Sequence, residues 1–218
     1  MIQVIDTLAQ DTSSLEIKGT LLLKVKTDSS QLEDFQKYLS STNLAELDEI
    51  KNEQDKLRFI KTRGIVNMLF AHDNCGAEAI WKRSKYAKPY IEGWDKDFSI
   101  SHSTDISIVG VASEAIGVDI EDIGRDIDLA KFKRTGFLNF DEGAYESKEE
   151  FLMRFTALEA YLKYIGRGFY HDARDISVRK ASGSIVIEDG KVIKAETIRD
   201  GDYIISIVMG QIKPCAIR

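Results

Sequence analysis

Cysteine and proline are scarce in this chain, with two of each in 218 residues. Cys75 and Cys215 stand far apart and lack the paired spacing of a zinc site. Long apolar runs are missing too. The longest uncharged one near the end, Tyr203 to Ile212, is too short to span a bilayer. Met1 to Asp6 offers no basic n-region and no long apolar core, so no secretory signal is expected. A basic excess is also absent. The formal net charge of −6 argues against a general nucleic-acid binder. No low-complexity segment interrupts the chain. With 43% hydrophobic and 30% charged residues, the composition is that of a soluble globular protein. These features together fit a reduced, cytoplasmic protein that needs no membrane and no nucleic acid.

The length allows one large domain or two modest ones. Leu15 to Lys18 and Thr20 to Lys26 read as extended, with a glycine between them. Residues 29–72 carry a helical pattern in more than one segment, with Asp55 as a candidate N-cap. Lys82 to Gly93 reads as a basic loop around Pro89, and Asp97 to Ala112 as two short strands joined by a polar turn at residues 103–105. The second half repeats this plan. Gly117 to Glu121 reads as a strand, and Glu149 to Gly166 as the strongest helix in the chain. Ile176 to Met209 then reads as strands broken by Gly183, by Asp189 and Gly190, and by Asp200 and Gly201. Arg58 with Phe59 and Arg154 with Phe155 both open helical stretches, and Ser107 and Ser206 both precede Ile-Val in a late strand. The pattern predicts an α+β fold of two similar halves, residues 1–112 and 113–218.

Chemistry-bearing residues concentrate in three short segments. In the 117–121 strand, Asp119 and Glu121 share one face while Val118 and Ile120 share the other. Two neighbouring carboxylates are tolerable on a wet strand face and favourable around a divalent cation. The aspartate-rich run from Asp122 to Asp128 lacks the spacing of a calcium loop and reads as a solvated turn. On the helix, Phe151, Phe155, Leu158, Leu162 and Ile165 form an apolar stripe, which is core. Thr156, Glu159, Lys163 and Gly166 make a second row beside it. Glu159 and Lys163 are i,i+4 neighbours. They suit either a surface ion pair, worth about 0.2–0.5 kcal/mol, or a cleft edge. His102 lies between Ser101 and Ser103 at a strand end, where it suits either a backbone contact or a phosphate. Lys82, Arg83, Lys85 and Lys88, with Arg58 and Arg63, are cations able to meet a phosphorylated cofactor or an acidic partner.

Taken in order, Lys88-Pro89, Ser101-His102-Ser103, Gly117 to Glu121, and Glu159-Ala160 with Lys163 resemble the 4′-phosphopantetheinyl transferases, in their larger, pseudo-dimeric Sfp-type class. The resemblance runs from about Arg58 to Phe169. It implies halves related by a pseudo-two-fold with the active site at their interface, in a monomer. It also implies transfer of the phosphopantetheine arm of coenzyme A to a serine of an apo acyl or peptidyl carrier protein. Asp119, Glu121 and Glu159 would then hold Mg²⁺, and Glu159 and Lys163 would be catalytic. Arg58, Arg63, Lys85, Lys88, Pro89, Ser101 and His102 would bind coenzyme A. The chain departs from the pattern at Phe155, where the family usually has tryptophan, and at Leu158, where it usually has lysine. Leu158 falls on the core stripe, so Arg154 is the expected substitute for the missing cation. Two other functions suit the same residues: a non-catalytic module for an acidic partner, and a magnesium-dependent phosphohydrolase.

Overall fold

The computed structural model describes residues 2–6 and 19–211. The segment Leu15 to Lys18 and Cys215 lie outside them. The fold is α+β. The described residues form two compact units, one through Ser84 and again Pro89–Ser113, the other Lys85–Lys88 and Glu114 onward.

The first unit holds strands β1 (Ile2–Asp6) and β2 (Thr20–Lys26), then helices α1 (Leu32–Gln36), α2 (Ser41–Glu49) and α3 (Glu53–Asp73). Strands β3 (Trp81–Arg83), β4 (Pro89–Ile91), β5 (Asp97–Ser103) and β6 (Ile106–Ala112) follow. Its main sheet runs β1-β2-β6-β5, parallel between β1 and β2 and antiparallel elsewhere. Leu21, Leu23 and Val109 of the sheet and Ile65, Val66 and Leu69 of α3 build the core. Gly64 is the point where α1 meets α3, since a Cβ there would collide with the Phe35 carbonyl. Two expectations change. The cap of α3 is Asn52, whose Oδ1 accepts the Asp55 amide at 3.1 Å, so Asp55 sits inside the first turn. The basic stretch is no loop: β3 and β4 pair as a two-stranded ribbon, and Pro89 is tolerated at the start of β4.

The second unit begins with β7 (Ala115–Asp122), followed by α4 (Leu129–Thr135), β8 (Asn139–Phe140) and α5 (Lys148–Tyr164). Strands β9 (Ser177–Ala181), β10 (Ser184–Glu188), β11 (Val192–Asp200) and β12 (Tyr203–Gly210) complete it. The sheet order is β7-β12-β11-β10-β9-β8. Ser147 caps α5 by accepting the Glu150 amide at 3.1 Å, and Glu149 and Glu150 occupy the first turn where the helix dipole favours acid. Phe151, Leu158, Leu162 and Tyr161 of α5 pack onto Ile185, Ile187, Ile204 and Val208 of the sheet. Leu158 is therefore core.

Gly117 fixes how closely α5 lies on β7. A Cβ there would collide with the Ala160 carbonyl and the Tyr164 amide. Side chains alternate along a strand, so the face that carries Gly117 and Asp119 is turned to the helix. The neighbouring strand agrees: Ser206 of β12 is registered opposite Asp119, and its hydroxyl meets Thr156 of α5 at 2.7 Å and Thr197 of β11 at 2.8 Å. These hydroxyls satisfy one another in a place where an isolated one would be penalised.

Candidate active site

That close contact between β7 and α5 decides the environment of the acidic strand. Asp119 is only 5% exposed, so a solvated strand face does not describe it. Its Oδ1 accepts a hydrogen bond from Lys163 Nζ at 2.8 Å. The charge partner of Lys163 thus lies on the strand, and no ion pair joins it to Glu159, its helical i,i+4 neighbour. Glu121, next on the same face, is paired with Arg125.

Glu159 is pushed up to about 7, chiefly by burial and then by the charge of Asp119, with Glu121 adding to it and Lys163 opposing it. Three carboxylates therefore act on one region, and a cation in that region lowers the energy of all three. Among the described residues no three His, Cys, Asp or Glu side chains are gathered tightly enough to enclose a metal ion. The Lys163 ammonium and the Arg125 guanidinium supply positive charge to Asp119 and Glu121. The donor chemistry fits a hard cation, since every candidate ligand is a carboxylate oxygen.

The remaining expected site residues fall in several places. Arg58 on α3 donates to Asp55 at 2.6 Å. Arg63 on the same helix lies 3.9 Å above the Trp81 ring, and its pKa is lowered to about 10, mainly by burial and also by the nearby Arg83. Ser101 is buried and His102 exposed, because consecutive residues of β5 point to opposite faces of the sheet. They do not converge from one side, as joint phosphate binding would require. In the second unit, Lys85 lies over the Tyr86 ring at 5.3 Å, and Lys88 donates to the Ile116 carbonyl of β7 at 3.0 Å. Lys88 thereby ties the 85–88 segment to the strand that carries Asp119. Pro89, its neighbour, opens β4 in the first unit.

Arg154 requires a correction. It is 2% exposed, and its Nε and Nη2 reach Asp141 at 2.5 and 3.1 Å while Nη1 reaches the Glu150 carboxylate at 2.6 Å. A guanidinium held by two carboxylates in the interior does not stand in for a phosphate-binding lysine. Sequence reasoning also passed over Arg125, placed in a solvated turn, and the cluster in which Tyr161 Oη donates to Asp189 at 2.7 Å with His171 3.1 Å from the same oxygen. That cluster holds the segment after α5 to the β10–β11 turn. The only signal for it was a tyrosine between Leu158 and Leu162 of the apolar stripe and an Asp-Gly turn.

No curated protein matches the chain. A family model does, and it opens at the first residue of β7 and closes within β12. Residues 115–208, which include the acidic strand and the helix that covers it, match the 4′-phosphopantetheinyl transferase superfamily.

Proposed function

We propose that the protein is a holo-carrier-protein synthase, which moves the 4′-phosphopantetheine arm of coenzyme A to a serine of an apo acyl or peptidyl carrier protein. What carries this proposal is the mutual charge of Asp119, Glu121, Glu159 and Lys163 on one β7–α5 face, inside the stretch that matches the family. The serine Oγ forms a bond to the phosphorus on the pantetheine side of the pyrophosphate. The phosphoanhydride bond breaks, and adenosine 3′,5′-bisphosphate leaves. Glu159 takes the serine proton: of the three site carboxylates, Asp119 is paired with Lys163 and Glu121 with Arg125, and Glu159 forms no side-chain ion pair among the described residues. Lys163 neutralises charge on the departing phosphate, and exchanges Asp119 for it.

Asp119, Glu121 and Glu159 would hold Mg²⁺, as their oxygen donors and mutual repulsion favour. When bound, the ion neutralises the pyrophosphate and makes phosphorus more electrophilic. Arg58, Arg63, Lys85 and His102 supply cations and donors for the phosphates of coenzyme A, and Lys88 acts by anchoring its segment to β7.

The test incubates purified protein with coenzyme A, Mg²⁺ and a panel of apo carrier proteins, and reads intact mass. A carrier should gain one phosphopantetheine, and a chelator should stop the gain. Coenzyme A cleaved with no carrier modified would favour a phosphohydrolase. Coenzyme A left intact with every carrier would favour a non-catalytic module.

A further inference from the structure

A separate cavity of about 460 Å³ opens beside α4 in the second unit, lined by Lys131, Phe132, Thr135, Phe137 and Arg174. Its volume lies within the range of small-ligand sites, about 300–1,000 Å³. None of these residues takes part in the chemistry proposed above. Phe132 rests against Phe151 of the core, ring centroids 4.9 Å apart, so the wall it forms is held from behind. Gly136 ends α4 in the left-handed conformation (φ 58°) and sets Phe137 just past the helix. A residue in that position usually folds onto the last turn and is covered. Phe137 instead keeps 50% of its surface exposed.

The rim is basic, although the protein as a whole is acidic. Helix α4 carries Lys131, Lys133 and Arg134 and no acid of its own. Lys133 is bound to Glu142, whereas no carboxylate among the described residues pairs with Lys131. Arg174 is already held by Asp172 through Nε at 3.0 Å and Nη2 at 2.5 Å, so that pair is close to neutral. One uncompensated cation beside two phenylalanine rings and a hydroxyl suits a single negative charge on an apolar body. A phosphate dianion would lack the second cation, and a neutral hydrocarbon would leave Lys131 unused.

We infer that this cavity binds an amphipathic monoanion, a carboxylate with a medium-length alkyl or aryl tail. The tail lies against Phe132 and Phe137, and the carboxylate meets Lys131, with Arg174 as a further donor. The site is independent of the phosphopantetheine chemistry, so binding can be measured whether or not transfer occurs.

The probe is decanoate, titrated below its micelle concentration into the full-length protein by calorimetry. Saturable one-to-one binding is expected, with a dissociation constant on the order of 0.1 mM, the range reachable by a ligand of that size. Lys131→Glu should weaken it at least about tenfold, the scale of exchanging an attraction for a repulsion. Phe137→Ala should weaken it several-fold by removing apolar contact. Decyltrimethylammonium, with the same tail and the opposite charge, should not bind. Both side chains are solvent-accessible, so the variants should fold, and unchanged circular dichroism would verify that. The inference is overturned if no saturable binding is seen, if Lys131→Glu binds as wild type does, or if the cationic probe binds as well as decanoate.

Discussion

Helices α3 and α5 each carry one deeply buried cation, and the way each is held separates structure from chemistry. On α3, Lys61 has no measurable exposure and donates to the Lys26 carbonyl and to Asp28, both at 2.8 Å. Asp28 remains 48% exposed, so the pair is half in water. On α5, Arg154 is clamped between Asp141 and Glu150, a planar fork matched to two carboxylates. Both cations are fully occupied by their own unit. Glu159, less than two turns beyond Arg154 on the same helix, is the opposite case. Burial and two like charges disfavour its ionised form. Satisfied charges hold an element in place, whereas a charge the fold leaves in tension is available to bind or to react.

The largest expected effect is at Arg154. Arg154→Met should destabilise the second unit by about 3–5 kcal/mol, the scale for breaking a buried pair, because Asp141 loses its cation while Glu150 keeps only Lys180. Denaturant unfolding measures it. Lys61→Met should do less harm, about 1–3 kcal/mol, since Asp28 can be hydrated when its partner goes. Equal losses at the two positions would erase the distinction drawn between them.

Acid should act on both pairs. Burial pushes Asp141 up, but the Arg154 guanidinium holds it below the usual carboxylate range; Lys180 and then Arg154 draw Glu150 down, and Lys61 with Ser30 draws Asp28 down to about 2. Folded carboxyls of lowered pKa bind fewer protons than unfolded ones. Their contribution is therefore complete above about pH 4–5, the unfolded range, and falls away as pH drops towards the folded values. Melting temperature should decline below that pH, and Arg154→Met and Lys61→Met should each flatten the decline.

The smallest effect concerns the metal. Magnesium alone should raise the melting temperature of the wild type slightly, by mass action on the folded state. It should leave that of Asp119→Ala unchanged. A shift of equal size in both proteins would remove Asp119 from the ligand set.

Much of the second unit was legible because its punctuation is local. Glycines at 183, 190 and 201 end strands where the structure ends them, and the Phe151–Leu158–Leu162 spacing marks the buried side of α5. The charged residues were legible by type and not by environment. Arg154 reads as an exposed neighbour of the stripe, since its partner Asp141 lies 13 residues upstream and outside any helical spacing. Asp119 reads as half-wet, because the pattern of β7 shows one apolar face and does not show that α5 covers the other. Gly117 was the available sign of that cover. In the first unit, Ser101 and His102 looked like one cluster because they adjoin in sequence, and the strand pleat parts them. The ribbon of β3 and β4 escaped notice because each strand has only three residues.

The central claim is that Glu159 is kept for chemistry at some expense to stability, and Glu159→Gln tests it most directly. Replacing a disfavoured charge by a neutral amide of the same shape removes the repulsion from Asp119 and Glu121 and retains the packing. The account predicts a melting temperature equal to or above that of wild type. It also predicts a fall of at least about a hundredfold in the rate of phosphopantetheine transfer, the scale of losing an acid–base group. A variant that melts well below wild type while transferring at an undiminished rate would contradict it.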